Sequence, residues 1–121
     1  MGQRFLAKRL RDMTDVEAAW LAGLLEGEGS FVSLVRRGVP RIRVSMVSVD
    51  RDVIDRVIEV TGIPTRTESK RPERQRCYHW TCDRRYDAVA LIEWLYPFMG
   101  ERRQSQMRSA LDAAVAVWEA A

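Results

Sequence analysis

The sequence predicts a single α+β domain in which helices and antiparallel β-hairpins alternate in the order αββαββα, followed by a C-terminal helix. Two observations predict this class. Apolar residues recur at helical spacing in several segments, and they alternate with polar residues in paired segments that short turns separate. The 121 residues suit one compact domain, 1–121, with one hydrophobic core and no linker.

The first helix is predicted over residues 15–27 because both of its ends carry local signals. Thr14 and Glu17 have the spacing of a capping box, in which each side chain accepts a hydrogen bond from the other residue's backbone amide. Gly27 and Gly29 favour termination of the helix. The first hairpin follows in the sequence.

The first hairpin is predicted from two strands, 30–37 and 41–49, with a tight turn at 38–40. The second strand alternates most clearly between apolar and polar residues. Its apolar set is Ile42, Val44 and Met46, and its polar set is Arg41, Arg43 and Ser45. The hairpin therefore has one apolar face and one cationic face.

The rest of the chain repeats this order of elements. The predicted elements are a helix over 51–60 with Asp50 as its cap, strands over 65–70 and 76–83, and helices over 86–94 and 101–119. In the last strand, alternation places Tyr78, Trp80 and Cys82 inward and Cys77, His79 and Thr81 outward. The two cysteines therefore face opposite sides, so we expect reduced thiols and no local disulfide.

Basic residues concentrate in the predicted strands, whereas acids concentrate in the predicted helices. The net charge is only +3, but residues 30–49 contain four arginines and no acid, and residues 66–76 contain five basic residues. Such a distribution indicates a polyanionic partner, with a solvated arginine-rich surface as the alternative. No apolar run approaches the roughly 20 residues that span a membrane, and no secretory signal is evident. We therefore expect a soluble, cytoplasmic protein.

Three small residues, Ala19, Gly23 and Gly27, follow one stripe of the first helix at intervals of four. Small residues at this spacing let another helix approach almost to backbone contact. Glycine inside a helix costs about 1 kcal/mol relative to alanine, so Gly23 indicates a packing requirement. A contact within the chain and a contact with a second chain are both open interpretations.

Two acids, Glu26 and Glu28, lie at the end of this stripe. A carboxylate is unfavourable at a helix C-terminus, which carries partial negative charge. A divalent cation would relieve that repulsion, and the free carbonyl groups of the helix end are the hard oxygen ligands that suit Mg²⁺. The alternative is a solvated glutamate in a glycine turn.

Residues 21–29, LAGLLEGEG, resemble the LAGLIDADG motif of homing endonucleases at every position in character. The αββαββα order also agrees with that family. The resemblance implies a curved antiparallel sheet that binds DNA, with two motif helices packed at the centre. Because one motif copy is present, it implies a homodimer that cuts double-stranded DNA at a long, near-palindromic site. The implied reaction is phosphodiester hydrolysis with Mg²⁺ or Mn²⁺ and no small-molecule substrate.

The resemblance also assigns roles to individual residues. Glu28 would be the catalytic metal ligand, with the carbonyl of Gly27 beside it. Arg103, and after it Arg102, stands near the place of a family lysine, and Asp50 or Arg51 would position water. The family usually has aspartate where this chain has Glu28, which changes the reach of the carboxylate. The dimer interface would contain Ala19, Trp20, Gly23, Leu24 and Gly27.

DNA contacts are expected from the outward side chains of both hairpins, because a two-stranded ribbon fits the major groove. The first hairpin would contribute Arg36, Arg41, Arg43 and Ser45, and the second Arg66, Glu68, Lys70, Arg74, Arg76 and His79. Some of these side chains are expected to contact only phosphate.

Two other functions fit the same scaffold. One is an RNA-splicing maturase or a non-cleaving DNA-binding regulator, which would keep the stripe of small residues but would not need the acid at Glu28. The other is a protein in which the first helix serves only dimerisation. The presence of Glu28 favours the nuclease.

Overall fold

The structure is a computed structural model that describes residue 10, residues 12–69 and residues 76–120. Its elements are α1 (Asp15–Glu28), β1 (Gly29–Arg36), β2 (Val39–Ser48), α2 (Arg51–Thr61), β3 (Arg66–Ser69), β4 (Cys77–Cys82), α3 (Arg85–Leu95) and α4 (Glu101–Ala120). A 3-10 turn, Tyr96–Phe98, joins the last two helices. The predicted αββαββα order with a terminal helix is confirmed.

Local contacts fix both ends of α1. The amide of Glu17 donates to Thr14 Oγ1 at 3.1 Å, and the amide of Thr14 donates to Glu17 Oε1 at 3.0 Å, which is the predicted capping box. At the other end the chain enters β1 without a loop, since Gly29 is both the helix cap and the first strand residue. A Cβ on Gly29 would lie 2.6 Å from the Leu25 carbonyl oxygen, so this direct passage requires glycine.

The four strands form one antiparallel sheet in the order β1-β2-β4-β3. Arg37 and Gly38 connect β1 to β2 with φ values of 53° and 75°, which are typical of a two-residue hairpin turn. The predicted turn at 38–40 is therefore misplaced, because Val39 and Pro40 already pair with β1. The pairing between β1 and β2 therefore continues up to the two turn residues.

One face of the sheet, here called the helix face, packs against the helices and forms the core. Its buried side chains include Phe31, Ile42, Val44, Met46, Trp80 and Cys82. The indole N–H of Trp80 donates to the Ile63 carbonyl at 2.9 Å, which anchors the segment between α2 and β3. Burial raises the pKa of the Cys82 thiol, and both cysteines are free thiols, as expected.

The helices contribute the other half of the core. Their fully buried side chains include Leu21, Leu25, Ile54, Val57, Leu91, Ile92 and Met107. α4 lies over β1 and β2, whereas α2 lies over β2 and β4. In the part of the chain that the structure describes, no helix has the length and apolar character to cross a membrane. The opposite side of the sheet, here called the outer face, is free of these helices.

Thr14→Ala should lower the free energy of unfolding by about 1 kcal/mol, because it removes the side chain that caps α1. Thr67→Ala makes the same change at another exposed threonine and should stay within about 0.5 kcal/mol of the unaltered protein. Urea denaturation at one fixed protein concentration, followed by circular dichroism, measures both values. Equal losses in the two variants would contradict a specific stabilising role for the capping box.

Candidate active site and nucleic-acid interface

Glu28 is the last residue of α1, and its side chain is exposed. In the described part of the chain its carboxylate has no hydrogen bond or ion pair. The last turn of α1 also contains no basic residue, so no charge on the helix offsets the repulsion between this carboxylate and the helix dipole. The position therefore favours a cation.

Glu26 ties the end of α1 to the start of α4. Its Oε1 accepts a hydrogen bond from the amide of Gly100 at 2.9 Å, and its backbone carbonyl accepts one from Arg103 Nε at 2.9 Å. A side chain at Gly100 would collide with Glu26 Oε1. Arg103 is only 8% exposed and also donates to Gln106 Oε1 at 2.9 Å. These contacts fix the helix turn on which Glu28 lies.

This geometry favours a positioning role for Arg103 over the direct catalytic role that the resemblance implies. Its guanidinium is nearly buried and is committed to Glu26 and Gln106. Arg102 is exposed on the same turn of α4, and its catalytic role stays a prediction. Arg102 and Arg103 are adjacent in the sequence, so only the contacts that each makes in the structure distinguish their roles.

Asp50 lies at the same edge of the sheet as Glu28, because the start of β1 pairs with the end of β2. It occupies the predicted cap position of α2, but its side chain makes no capping hydrogen bond. Instead, the amide of Asp50 donates to Ser48 Oγ at 3.0 Å, and its carboxylate is left exposed. Arg51, the alternative water-positioning residue, pairs with Asp55 at 3.5 Å.

Hard oxygen atoms make up the donor set at this edge. They are the carboxylate of Glu28 and the backbone carbonyl of Gly27, which lies in the last helical turn, where carbonyls lack intrahelical donors. Mg²⁺ is usually bound by one or two carboxylates together with waters and substrate phosphates, so the donor set fits it in type. Among the described residues, no three His, Cys, Asp or Glu side chains form a metal-binding group.

The outer face brings together five residues that were expected to contact DNA. Directly paired residues of antiparallel strands point to the same side, so the register assigns each position to a face. The predicted residues on the outer face are Arg36, Arg41, Arg43, Ser45 and His79. They are joined there by residues that were not predicted to contact DNA, namely Ser30, Val32, Leu34, Val39, Val47, Thr67, Ser69, Cys77 and Thr81.

The register places Arg66 and Glu68 on the helix face, and their expected outward orientation is wrong. Arg66 donates to Asp55 of α2 at 3.1 Å, and Arg76 donates to Glu68 at 3.4 Å. β3 has no apolar alternation that would reveal which positions face the core, so its orientation could not be predicted from the sequence. The two other residues expected from this hairpin, Lys70 and Arg74, lie outside the described residues.

The stripe of small residues on α1 is open. Ala19, Gly23 and Gly27 are exposed, and Val16 beside them is 80% exposed. A Cβ added to Gly23 or Gly27 would meet no atom within 4 Å in the described structure. No packing within that part of the chain therefore requires glycine at these two positions.

Trp20 and Leu24 flank this open stripe. Both are partly buried and pack against the core. The guanidinium of Arg56 lies over the Trp20 ring, 5.4 Å from its centroid. These two residues therefore support α1 from within the chain, and their contribution to a dimer interface stays a prediction.

No protein-family model matches the sequence, and no curated protein is detectably similar to it. Solved structures nevertheless match. An archaeal intron-encoded homing endonuclease, I-Vdi141I, complexed with DNA, matches 77% of this chain with a TM-score of 0.60 and 24% sequence identity. The fold is that of the LAGLIDADG homing endonucleases.

Two further homing endonucleases match the same LAGLIDADG fold. I-CvuI in complex with a DNA target matches 79% of this chain with a TM-score of 0.57 and 14% identity. The LAGLIDADG homing endonuclease I-SmaMI bound to cleaved DNA matches 84% with a TM-score of 0.55 and 16% identity. The matches cover 64% of the I-Vdi141I and I-CvuI chains and 37% of the I-SmaMI chain, which is less than two thirds of each.

Arg103→Ala should lower the free energy of unfolding by about 2 kcal/mol, because it leaves the Glu26 carbonyl without its charged donor and the Glu26 carboxylate without its ion-pair partner. Arg102→Ala, one residue earlier and exposed, should change it by no more than about 0.5 kcal/mol. Chemical denaturation of the two variants under identical conditions measures the difference. A larger loss for Arg102→Ala would be inconsistent with the positioning role of Arg103.

Proposed function

We propose that this protein is a site-specific endonuclease of the LAGLIDADG type, which hydrolyses phosphodiester bonds of double-stranded DNA as a homodimer with Mg²⁺ or Mn²⁺. The observation that carries the proposal is the exposed carboxylate of Glu28, which has no partner among the described residues. Glu28 directly follows Gly27, the last residue of the exposed stripe of small residues on α1. It also lies at the edge of the sheet, whose outer face is cationic. The fold match to homing endonucleases with bound DNA supports the same function.

A second copy of the chain would complete the site. Two α1 helices related by a two-fold axis can approach closely along Ala19, Gly23 and Gly27, because these positions present no large side chain. Glu28 directly follows Gly27, so this packing would bring the two carboxylates near one another. Each would then serve one strand of the duplex, and the two-fold symmetry would favour a near-palindromic target.

The outer face would bind one half of that target. Its arginines, Arg36, Arg41 and Arg43, can contact phosphates or the acceptor atoms of guanine in the major groove. Ser45 and His79 lie on the same face and can add hydrogen bonds to bases or phosphates. A positive surface of this kind also attracts DNA over long range and gives binding that weakens as salt rises.

Mg²⁺, when bound, would activate water and stabilise charge on the phosphate oxygens. Glu28 and the carbonyl of Gly27 would hold it, while Asp50 at the same edge would orient water. Arg102, exposed on the first turn of α4, would fill the catalytic role of the family lysine, since Arg103 is bound to Glu26 and Gln106. The contacts of Glu26 with Gly100 and Arg103 would keep the end of α1 fixed, which preserves the position of the Glu28 carboxylate.

Glu28→Gln should reduce cleavage by roughly 100-fold or more, because it removes the charged metal ligand. DNA affinity should be unchanged or slightly higher, because a negative charge near phosphate is lost. Cleavage of a plasmid library with Mg²⁺ and direct binding measurements separate the two effects. Glu59→Gln, an exposed glutamate on α2, is the matched control and should cut normally.

Robust cutting by Glu28→Gln would exclude the role assigned to that carboxylate. If the unaltered protein binds DNA but does not cut it with Mg²⁺ or Mn²⁺, the nuclease proposal fails. That result would favour the non-cleaving DNA-binding regulator or the maturase.

Gly23→Leu should convert the dimer to a monomer and abolish double-strand cleavage, since the added side chain separates the paired helices. It should not disrupt the fold of one chain, because the space around Gly23 is open within the described structure. Ala113→Leu introduces the same side chain at an exposed position of α4 and should leave the mass unchanged. Sedimentation equilibrium and circular dichroism measure mass and helix content. A dimeric, active Gly23→Leu variant would argue against the α1 interface.

A further inference from the structure

Asp83 is an acid that lies among the arginines of the outer face. It directly follows Cys82, which pairs with Val44, so it lies across from Arg43. Its Oδ2 is 3.9 Å from Arg43 Nη2, and its backbone carbonyl accepts a hydrogen bond from Arg41 Nη1 at 3.5 Å. One residue thus contacts the guanidinium groups of both arginines.

Neither stability nor DNA affinity accounts for this acid. The side chains of Arg43 and Asp83 are 35% and 29% exposed, and an ion pair at 3.9 Å in such a place contributes little to stability. A negative charge on a surface that binds a polyanion also opposes binding. The contribution of Asp83 therefore concerns the orientation of the two arginine side chains.

The part of each arginine side chain that lies nearest the sheet, up to Nε, is enclosed by the protein. The Nε atoms of Arg41 and Arg43 are buried and have no hydrogen-bond partner in the described structure. Across the hairpin, Arg41 pairs with Leu34 and Arg43 pairs with Val32, so an apolar side chain flanks each of them on β1. With Asp83 contacting a terminal nitrogen on the other side, each guanidinium keeps further N–H groups for an outside acceptor. An arginine that is already ordered loses less conformational entropy when it binds.

We propose that Asp83 is a positioning residue for sequence readout. Its carboxylate orients Arg43 and its backbone carbonyl orients Arg41, so that the remaining N–H groups of both arginines bind guanine in the major groove. A phosphate contact tolerates a mobile arginine, whereas recognition of guanine O6 and N7 requires a fixed, forked geometry. The inference rests on the proposed function, because it requires that the outer face binds DNA.

The test compares base preferences of the unaltered protein, Arg43→Ala, Asp83→Ala and Asp83→Asn, by binding-site selection without Mg²⁺. Arg43→Ala identifies the base pairs that depend on this arginine. Asp83→Ala should lose about fivefold or more discrimination at those base pairs, the lower end of what one bidentate base contact provides. Its affinity for a non-specific duplex should stay equal or rise, since a negative charge is removed. Asp83→Asn keeps an acceptor and should retain part of the discrimination.

Asp112→Ala is the matched control, because it removes the same charge from an exposed position of α4. It should leave base preferences unchanged. Unchanged discrimination in Asp83→Ala would overturn the proposal, as would a loss confined to base pairs that Arg43→Ala does not affect. A uniform loss of affinity together with a lower melting temperature would assign Asp83 a structural role and overturn it as well.

Arg43→Ala could instead reduce the salt dependence of binding without changing base preference. That outcome would assign Arg43 to phosphate and would also overturn the inference. DNA binding by the unaltered protein is measured first. Its absence would contradict the proposed function and this inference together, whereas the other outcomes concern Asp83 and its arginines alone.

Discussion

The direct passage from α1 into β1 determines where every other part of the site lies. The amide of Gly29 donates to the Leu25 carbonyl as the helix closes, and the same residue already pairs with Met46 in the sheet. The carboxylate of Glu28 is therefore held at the junction of the helical layer and the sheet. A second restraint acts on the same turn, since Arg103 binds the Glu26 carbonyl and connects this junction to α4. Two independent contacts thus limit how far the candidate catalytic acid can move.

The order of elements and the faces of the first hairpin could be predicted from the sequence because their signals are local. The capping box at Thr14 and the strict alternation around Val44 each require only neighbouring residues. The orientation of β3 could not be predicted, since its polar residues carry no alternation and Arg66 is satisfied by an acid on α2. The side chain of Asp50 likewise occupies a cap position without making the capping bond, which depends on its rotamer rather than on its place in the sequence.

The candidate site, too, could be predicted only in part from the sequence. The motif identified Glu28, and nothing in the structure competes for that carboxylate within the described residues. The difference between Arg102 and Arg103 depends on which side of α4 faces α1, and Asp83 was missed because its significance arises from strand pairing. The stripe on α1 was ambiguous in the sequence. The structure leaves the space around Gly23 open, and no neighbour within the described residues explains the glycine.

The absence of a loop between Glu28 and Gly29 also limits how the chain can change in length. A residue inserted or deleted at this junction would either turn the preceding helix by about 100° or invert the alternation of the following strand. The first change would move the open stripe of α1 away from its present side, and the second would exchange the core residue Phe31 with the outer residue Val32. Point substitutions on the outer face carry neither consequence. Under the proposed function, variation in the recognised DNA sequence can therefore accumulate by replacement on the strands, while the length of the motif segment is constrained by the geometry of the fold.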